Sequence, residues 1–221
     1  MTLLASFPGT LHGSATSYAA TDGAIIPIKS GTILVFGDSL SAAYGMESGQ
    51  GWVQLLIERL EIEELTYRVV NASVSGETTG GGKVRLLKTL QTHQPELIIL
   101  ELGGNDGLRG YPIDKIRINL SSMTKTALES GAKVLLVGMV LPPNYGHRYT
   151  QAFEQLFVDV AAKFDVPLLP YLLEGVATNA SLLQRDGIHP TPEAQILLLE
   201  DFWPQIEALL SSESRSVGSD E

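Results

Sequence analysis

Five short apolar runs alternate with helical patterns along this chain, and this alternation constrains the fold more strongly than any other feature. Short apolar runs bounded by turn residues are typical of strands buried inside a sheet. Strands that alternate with helices form parallel sheets, with helices covering both faces. The sequence therefore predicts an α/β fold with a five-stranded parallel sheet. The predicted strands span residues 32–36, 67–71, 97–100, 134–140 and 166–169.

The segments between these runs carry apolar residues at helical spacing. The predicted helices span residues 52–60, 83–91, 113–127, 153–164 and a last segment from residue 192. A helical pattern also begins directly after Ser39, whereas residues 73–82 are predicted as turns and glycine-rich loop. Pro192 fits the first position of the last helix, with Thr191 as its cap. Pro204 should kink or split that helix, because proline lacks the backbone donor and clashes with the preceding turn.

One continuous domain accounts for residues 32–210, without an internal repeat or linker. Residues 1–31 are small, polar and glycine-rich with no sustained periodicity, so they are predicted to be a loosely attached N-terminal extension. Residues 211–221 are predicted to be a polar C-terminal tail that frays.

Charge and composition exclude several classes of function. The chain has 221 residues, a formal net charge of −10 and no cysteine. This charge argues against nucleic-acid partners and against adhesion to anionic membranes. The lack of cysteine excludes disulfides, thiolate catalysis and metal sites built on cysteine. No apolar run approaches the length of a membrane span, so stable membrane insertion is not expected.

Unusual loops follow four of the predicted strands. Ser39 follows the first strand, Gly76 the second and Asn105 the third, while Asp186 and His189 lie after the fifth. The carboxyl ends of parallel strands meet at one edge of a sheet, where open α/β folds bind their ligands. We therefore expect these loops to form a single site.

Ser39 is the candidate nucleophile of that site. A serine hydroxyl is a weak nucleophile at neutral pH and needs a base beside it. His189 fits the base, and Asp186 is placed to hold one ring nitrogen while the other faces the serine. Two other interpretations stay open, namely Asp38 or Ser39 as a helix cap and Asp186-x-x-His189 as a local turn hydrogen bond. A metal pair at these two residues is a weaker alternative, because no third ligand suggests itself.

Three groups are candidate donors for the oxyanion that acyl transfer generates. The loss of one such donor costs roughly 10²–10³ in turnover. The backbone N–H of Gly76 is open to close approach because glycine has no Cβ. The side-chain amide of Asn105 and the backbone N–H of Ser39 complete the set. A simple turn is the alternative explanation of the glycine-rich sequence around Asn105.

Several well-known motifs are absent from the sequence. Without a Gly-x-Ser-x-Gly elbow, the α/β-hydrolase plan is disfavoured. The triple glycine is not part of a phosphate-binding loop, and no dinucleotide fingerprint follows the first strand.

Taken together, four sequence blocks resemble those of the SGNH (GDSL) hydrolase family. The blocks are Gly37-Asp38-Ser39-Leu40-Ser41, Ser75-Gly76-Glu77-Thr78, Gly103-Gly104-Asn105-Asp106 and Asp186-Gly187-Ile188-His189-Pro190. Residues 71–73, 101–110 and 141–146 further resemble the bacterial multifunctional thioesterase I/lysophospholipase L1/arylesterase subgroup. The resemblance covers about residues 32–210.

The resemblance implies a flavodoxin-like three-layer α/β/α sandwich. It also implies Ser39 as the nucleophile, His189 as the base, Asp186 as the residue that orients it, and an oxyanion hole formed by Ser39, Gly76 and Asn105. Members of the subgroup are often periplasmic, which favours a periplasmic or secreted protein. Because no signal peptide is recognisable in this chain, the compartment stays uncertain.

We expect a serine esterase that acts through an acyl-enzyme and needs no metal or organic cofactor. Its partner would be a small-molecule ester or thioester, such as an aryl ester, a short-to-medium acyl ester, an acyl-CoA or a lysophospholipid. We expect a monomer or a weak oligomer. Loops 74–82, 107–112 and 142–148 are predicted to wall the substrate groove. The predicted substrate-binding residues are Val74, Leu108, Tyr111, Pro142, Pro143 and Tyr145.

Two rival functions fit parts of the same pattern. A glycan acetylesterase of the same family would use the same catalytic set and prefer acetyl over longer acyl groups. A more distant alternative is a non-catalytic α/β protein that binds a flavin or a nucleotide.

Overall fold

A computed structural model describes residues 18–21, 24–27 and 30–211 of the chain. The strands are β1 (Tyr18–Thr21), β2 (Ala24–Pro27), β3 (Ser30–Gly37), β4 (Thr66–Asn71), β5 (Leu97–Glu101), β6 (Lys133–Val137) and β7 (Leu168–Leu169). The α-helices are α1 (Trp52–Ile62), α2 (Thr79–His93), α3 (Gly104–Leu108), α4 (Ile113–Glu129), α5 (His147–Phe164) and α6 (Gln195–Ser211). Short 3₁₀ turns cover Pro143–Tyr145, Ala180–Leu182 and Pro192–Ala194.

A five-stranded parallel sheet forms the centre, and its strand order positions the site. The order is β4-β3-β5-β6-β7, which confirms the predicted fold class. The chain pairs β4 on one side of β3 and then returns to pair β5 on the other side. Ligand crevices form at such reversals, outside the carboxyl ends of the strands. Gly37 pairs with Glu101 at the ends of β3 and β5, so the segment after Gly37 enters this crevice.

The middle strands are buried on both faces, as their uninterrupted apolar sequence predicts. Residues 33–36 of β3 and 97–100 of β5 have no exposed surface. Interiors of this kind are close-packed and deform little, so the positions at which the two strands end are well fixed.

Two groups of helices cover the sheet. α4 packs against α2 and α5, whereas α1 packs against α6. The rings of Trp52 and Phe202 stack with their centroids 4.2 Å apart. The side-chain carbonyl of Gln195 accepts a hydrogen bond from the N–H of Trp52 at 3.0 Å. This bond satisfies a backbone donor at the start of α1. The N-cap residue, Gly51, has no side chain that could accept it. Among the described helices, none is both long enough and apolar enough to cross a bilayer.

α2 begins at Thr79, so the predicted loop over residues 79–82 is wrong. The hydroxyl of Thr78 accepts a hydrogen bond from the N–H of Gly81 at 3.3 Å and caps the helix. A Cβ at Gly82 would lie 2.5 Å from Cδ1 of Leu102 and 3.2 Å from Cε1 of Phe36. The glycine is therefore needed for close packing of the helix on the sheet, not for a loop.

α6 continues through Pro204, so the predicted split of the last helix does not occur. Proline inside a helix costs about 3 kcal/mol or more. Pro204 itself is exposed, whereas its neighbours Phe202, Trp203 and Ile206 are buried. Burial of these large apolar side chains, each contributing about 1.5–3 kcal/mol, outweighs that cost.

Other boundaries differ from the predicted ones. The segment after Ser39 is a series of turns and not a helix. α5 begins at His147, six residues before the predicted start. The strands β6 and β7 are shorter than predicted, and the short helix α3 was not predicted at all.

The predicted N-terminal extension is described only in part. β1 and β2 form a separate antiparallel ribbon. β3 begins at Ser30, so the border predicted between residues 31 and 32 falls inside a strand. The C-terminal residues 212–221 lie outside the described residues.

Candidate active site

Ser39 lies in a tight turn directly after β3. The preceding Asp38 is buried, with 2% of its surface exposed, and Ser39 itself is half-buried. The N–H of Ala42 donates to the carbonyl of Asp38 at 2.9 Å, and the N–H of Tyr44 donates to the carbonyl of Ser39 at 3.1 Å. These bonds hold the serine hydroxyl at the carboxyl edge of the sheet.

Asp186 and His189 form a compact pair within one loop. One carboxylate oxygen of Asp186 accepts hydrogen bonds from the N–H groups of Ile188 at 2.9 Å and His189 at 3.0 Å. The other oxygen lies 2.7 Å from Nδ1 of the His189 ring. The geometry of this pair is therefore fixed by a stretch of only four residues.

The pKa of Asp186 keeps its carboxyl ionised. Desolvation raises this pKa, but the hydrogen bonds from the His189 ring and from the two backbone N–H groups outweigh it and lower the pKa to about 2. An ionised carboxylate can only accept, so Nδ1 carries a proton toward it. Nε2 is then the free acceptor, and it lies 2.8 Å from Oγ of Ser39. A hydrogen-bonded line runs from carboxylate to imidazole to hydroxyl, as a serine nucleophile requires.

Gly76 lies in the loop after β4, and Asn105 lies in the short helix α3 after β5. Gly76 has φ 78°, a left-handed conformation that favours glycine. The N–H of Val74 donates to the carbonyl of Gly37 at 3.0 Å, which attaches the Gly76 loop to the end of β3. In the described part of the chain, the backbone N–H groups of Ser39 and Gly76 have no acceptor. Both donors are thus available to a ligand.

Asn105 is oriented by the residue next to the candidate nucleophile. Its Nδ2 donates to a carboxylate oxygen of Asp38 at 2.9 Å. An amide nitrogen has two protons, so the second one is left for a ligand. The other oxygen of Asp38 accepts from the N–H of Leu40 at 3.1 Å. Asp38 therefore links the turn of Ser39 to the loop of Asn105.

A second buried carboxylate, Asp106 of α3, links the helix that carries Asn105 to the start of α2 near Gly76. It is 2% exposed and accepts from the backbone N–H of Thr79 at 2.8 Å and from its hydroxyl at 2.6 Å. Thr79 opens α2, three residues after Gly76. The side chain of Arg109 also donates to the carbonyl of Gly76 at 3.3 Å.

Glu101 lies beneath the serine turn and is fully buried. One of its oxygens accepts from the N–H of Asp38 at 3.2 Å and from the hydroxyl of Ser41 at 2.8 Å. Burial and the nearby charge of Asp38 raise the pKa of Glu101 well above its usual value, although these hydrogen bonds oppose the rise. Burial likewise raises the pKa of Asp38 to about 6, against the hydrogen bonds from Leu40 and Asn105 and the charge of His189.

The predicted substrate-binding residues follow β4, β5 and β6 along the chain, in loops, in the 3₁₀ turn Pro143–Tyr145 and, for Leu108, at the end of α3. Val74 and Tyr111 are 48% and 42% exposed. Leu108 and Tyr145 are half-buried, and the hydroxyl of Tyr145 donates to the carbonyl of Leu108 at 2.9 Å. Tyr145 thus joins two of the predicted groove loops. Pro142 and Pro143 are exposed in the same loop as Tyr145.

A shallow depression of about 480 Å³ lies at the start of α5 and includes Tyr145 in its lining, but neither Ser39 nor His189 lines it. Among the described residues, no group of three or more His, Asp and Glu side chains could hold a metal ion.

Sequence reasoning missed several side chains that support the site. The sequence predicts Asp38 only as a helix cap, and it does not single out Asp106 or Gln184, whose side-chain amide donates to the carbonyl of Tyr44 at 2.8 Å. Tyr149, whose hydroxyl donates to the carbonyl of Tyr111 at 2.7 Å, was also missed. The Asn105-Asp106 adjacency could have drawn attention to Asp106. The contacts of Gln184 and Tyr149 join distant parts of the chain and leave no local pattern.

Several known proteins have similar sequences and structures. Esterase TesA from Pseudomonas aeruginosa is 51% identical over 179 residues, which are 81% of this chain and 89% of that protein. Thioesterase 1/protease 1/lysophospholipase L1 from Escherichia coli is 39% identical over 183 residues, covering 83% of this chain and 86% of that protein. A crystal structure of TesA superposes with a TM-score of 0.79 at 51% identity, over 80% of this chain and 99% of that one. Residues 35–195 match the GDSL-like Lipase/Acylhydrolase family. With a family match over most of its length and relatives this similar, the chain belongs to the GDSL-like (SGNH) lipase/acylhydrolase family.

Proposed function

We propose that this chain hydrolyses carboxylic esters and thioesters through an acyl-enzyme formed on Ser39. The observation that carries the proposal is the hydrogen-bonded line from Asp186 through His189 to Ser39, with separations of 2.7 and 2.8 Å. The relatives, named as an esterase and as a thioesterase and lysophospholipase, support the same reaction class.

The reaction begins when Oγ of Ser39 attacks the substrate carbonyl and gives its proton to Nε2 of His189. Asp186 keeps Nδ1 protonated and stabilises the imidazolium ion that results. The carbonyl oxygen gains negative charge and is bound by the N–H groups of Ser39 and Gly76 and by the amide of Asn105.

His189 then donates its proton to the alcohol or thiol that leaves, and the acyl group remains on Ser39. Water enters and gives a proton to His189 while its oxygen attacks the acyl carbon. Collapse of the second tetrahedral intermediate releases the acid, and Ser39 recovers its proton from His189.

The apolar side chains that the segments 74–82, 107–112 and 142–148 expose wholly or in part support substrates with an acyl chain or an aryl group. We propose Val74, Leu108, Tyr111, Pro142, Pro143 and Tyr145 as the residues that contact this group. Aryl esters and short-to-medium acyl esters then fit best, and acyl-CoA and lysophospholipids are candidate natural substrates. All members of the proposed catalytic set come from one chain, so a second copy is not needed to complete the site.

The test is hydrolysis of p-nitrophenyl esters from acetyl to palmitoyl by wild type, Ser39→Ala and a matched control, Ser130→Ala. Ser130 is exposed at the end of α4. We expect Ser39→Ala to lose about 10⁴-fold or more in kcat and the control to keep wild-type activity. Full activity of Ser39→Ala would contradict the proposal. A sharp preference for acetyl over hexanoyl and octanoyl esters would instead favour the glycan acetylesterase.

A further inference from the structure

The contact between Ser39 and His189 depends on two parts of the chain that are 150 residues apart. Asp186 and His189 are held together by bonds inside their own loop, so this pair can move as one unit. Ser39 is held by the end of β3. The distance between Nε2 and Oγ is therefore set by whatever attaches the loop to the serine turn.

The side chain of Gln184 makes such an attachment. Its amide nitrogen donates to the carbonyl of Tyr44 at 2.8 Å and to the carbonyl of Pro190 at 2.9 Å. Tyr44 ends the hydrogen-bonded turn that starts at Ser39, and Pro190 directly follows His189. Both amide protons of one side chain thus join the nucleophile turn to the histidine loop.

The backbone of Gln184 is tied to the same histidine. Its N–H donates to the carbonyl of His189 at 2.7 Å, and its carbonyl accepts from the N–H of Gly187 at 2.9 Å. Leu183 and Pro190 form an antiparallel bridge beside these bonds. Gln184 is consequently part of the loop that carries His189, and its side chain is the part that reaches across.

Two further contacts surround this link. The rings of Tyr44 and His189 lie 4.6 Å apart at a tilt of 40°. A Cβ on Gly45 would lie 2.2 Å from the side-chain oxygen of Gln184, so the amide packs directly on the backbone of Gly45. The side-chain amide of Gln184 therefore occupies the space that a side chain at position 45 would need.

We propose that Gln184 is a positioning residue, which holds the Asp186–His189 loop at hydrogen-bonding distance from Ser39. The proposal rests on the function proposed above. Gln184 touches no reacting atom, and its effect reaches the reaction through the placement of His189. A displacement of about 1 Å at a reacting group can cost 10²-fold in rate, so a loosened loop should be visible in turnover.

The test compares Gln184→Met with wild type. Methionine keeps the length and volume of the side chain but removes both donors. We expect kcat for a short p-nitrophenyl ester to fall ~10-fold or more while KM stays within about twofold, because the substrate groove is untouched and the base is misplaced. The rate at which a fluorophosphonate labels Ser39 should fall by the same factor. The matched control is Gln155→Met on α5, which removes an exposed hydrogen bond to Asp159 and should leave kcat unchanged.

A proton NMR signal separates positioning from general damage. The Nδ1 proton between His189 and Asp186 should keep its low-field resonance in Gln184→Met, because this pair is held by its own loop. Wild-type kcat in Gln184→Met would overturn the proposal, and so would loss of kcat together with this resonance. If wild type itself is not labelled at Ser39, the proposed function fails instead.

Gly45→Ala tests the same contact without changing Gln184. The added methyl group displaces the amide and also strains the backbone, because Gly45 has φ 75°, so kcat should fall as it does in Gln184→Met. Unchanged kcat in a folded Gly45→Ala protein would contradict the proposal even if Gln184→Met did not fold.

Discussion

Asp38 connects the candidate nucleophile to a candidate oxyanion donor through a single buried carboxylate. It precedes Ser39 in the chain and accepts hydrogen bonds from Leu40 and Asn105. Both of its oxygens therefore face donors. A neutral amide at this position would turn an NH₂ group toward one of those donors and leave it without a partner.

Asp38→Asn should lower kcat about 10–10²-fold with little change in KM, because Asn105 loses its orientation toward the oxyanion. Steady-state kinetics with a p-nitrophenyl ester measure both constants. Asp114→Asn, at an exposed position on α4, is the control and should behave as wild type. A wild-type kcat in Asp38→Asn would show that Asn105 does not need this carboxylate.

The dependence of kcat/KM on pH should reveal the titration of Asp38. Because the pKa of Asp38 is raised to about 6, its carboxylate accepts both bonds above that pH and loses one acceptor as the pH falls below it. His189, Asp106 and Glu101 surround Asp38 in wild type and variant alike. The acid limb of kcat/KM should therefore be steeper in wild type than in Asp38→Asn. Equal slopes would contradict this assignment.

At the scale of elements, α2 is anchored to α3 by the buried carboxylate of Asp106. This carboxylate satisfies two donors of Thr79 at the start of α2, and Asn119 of α4 donates to the hydroxyl of Thr79 at 3.2 Å. The anchor fixes Gly76, just before α2, relative to Asn105, just before Asp106.

Asp106→Ala should destabilise the protein by about 2–3 kcal/mol, since two buried donors lose their acceptor. Urea unfolding followed by circular dichroism measures the free energy of unfolding. Asp114→Ala removes an exposed carboxylate paired with Arg117 and should change it by less than about 1 kcal/mol. A similar small effect of Asp106→Ala would mean that Thr79 finds another partner.

The sequence predicts well those strands and helices whose own pattern of apolar residues is sufficient to define them. Residues 97–100 are wholly apolar and end at Glu101, and α1 starts at Trp52 as predicted. The start of α2 was missed because its glycines are explained only by contact with Leu102 and Phe36 of the sheet. The start of α5 was missed because residues 147–152 are largely polar and none of them is fully buried, so they carry no apolar stripe.

The sequence singles out Ser39, Asp186 and His189, which lie within hydrogen-bonding distance in series, because Ser39 directly follows a strand and the other two share a short loop. The residues that hold these motif residues in place were not predicted. Asp106 meets Thr79 across 27 residues, and Gln184 meets Tyr44 across 140. No local pattern encodes such pairs, since they arise only when the sheet orders its strands.

At the scale of the whole molecule, the buried carboxyl of Glu101 makes stability depend on pH. Its pKa is raised above 4.5 in the folded state by burial and by the charge of Asp38. A raised pKa means that the folded state binds the proton more tightly than the unfolded state does. The resulting stabilisation is complete below about pH 4.5 and is lost as the pH rises through the folded-state value.

Glu101→Gln removes this titration. The free energy of unfolding of the variant, relative to that of wild type, should therefore increase from about pH 5 to about pH 8. Urea unfolding of both proteins at the two pH values measures the difference. The variant's absolute stability also reflects its new amide, so the change with pH is the informative quantity. A difference that stays constant with pH would contradict a buried, titrating Glu101.

The separation of Ser39 from His189 along the chain also has a consequence for protein synthesis. Ribosomes add about 5–20 residues per second, so the 150 residues between them take on the order of 10 s to translate. During that time the nascent chain already contains the proposed nucleophile, Gly76 and Asn105, but not the proposed base. Under the proposed mechanism, a chain still on the ribosome therefore carries an unactivated serine until the loop of residues 182–191 has been made and docked. A chain terminated before that loop stays inactive toward esters.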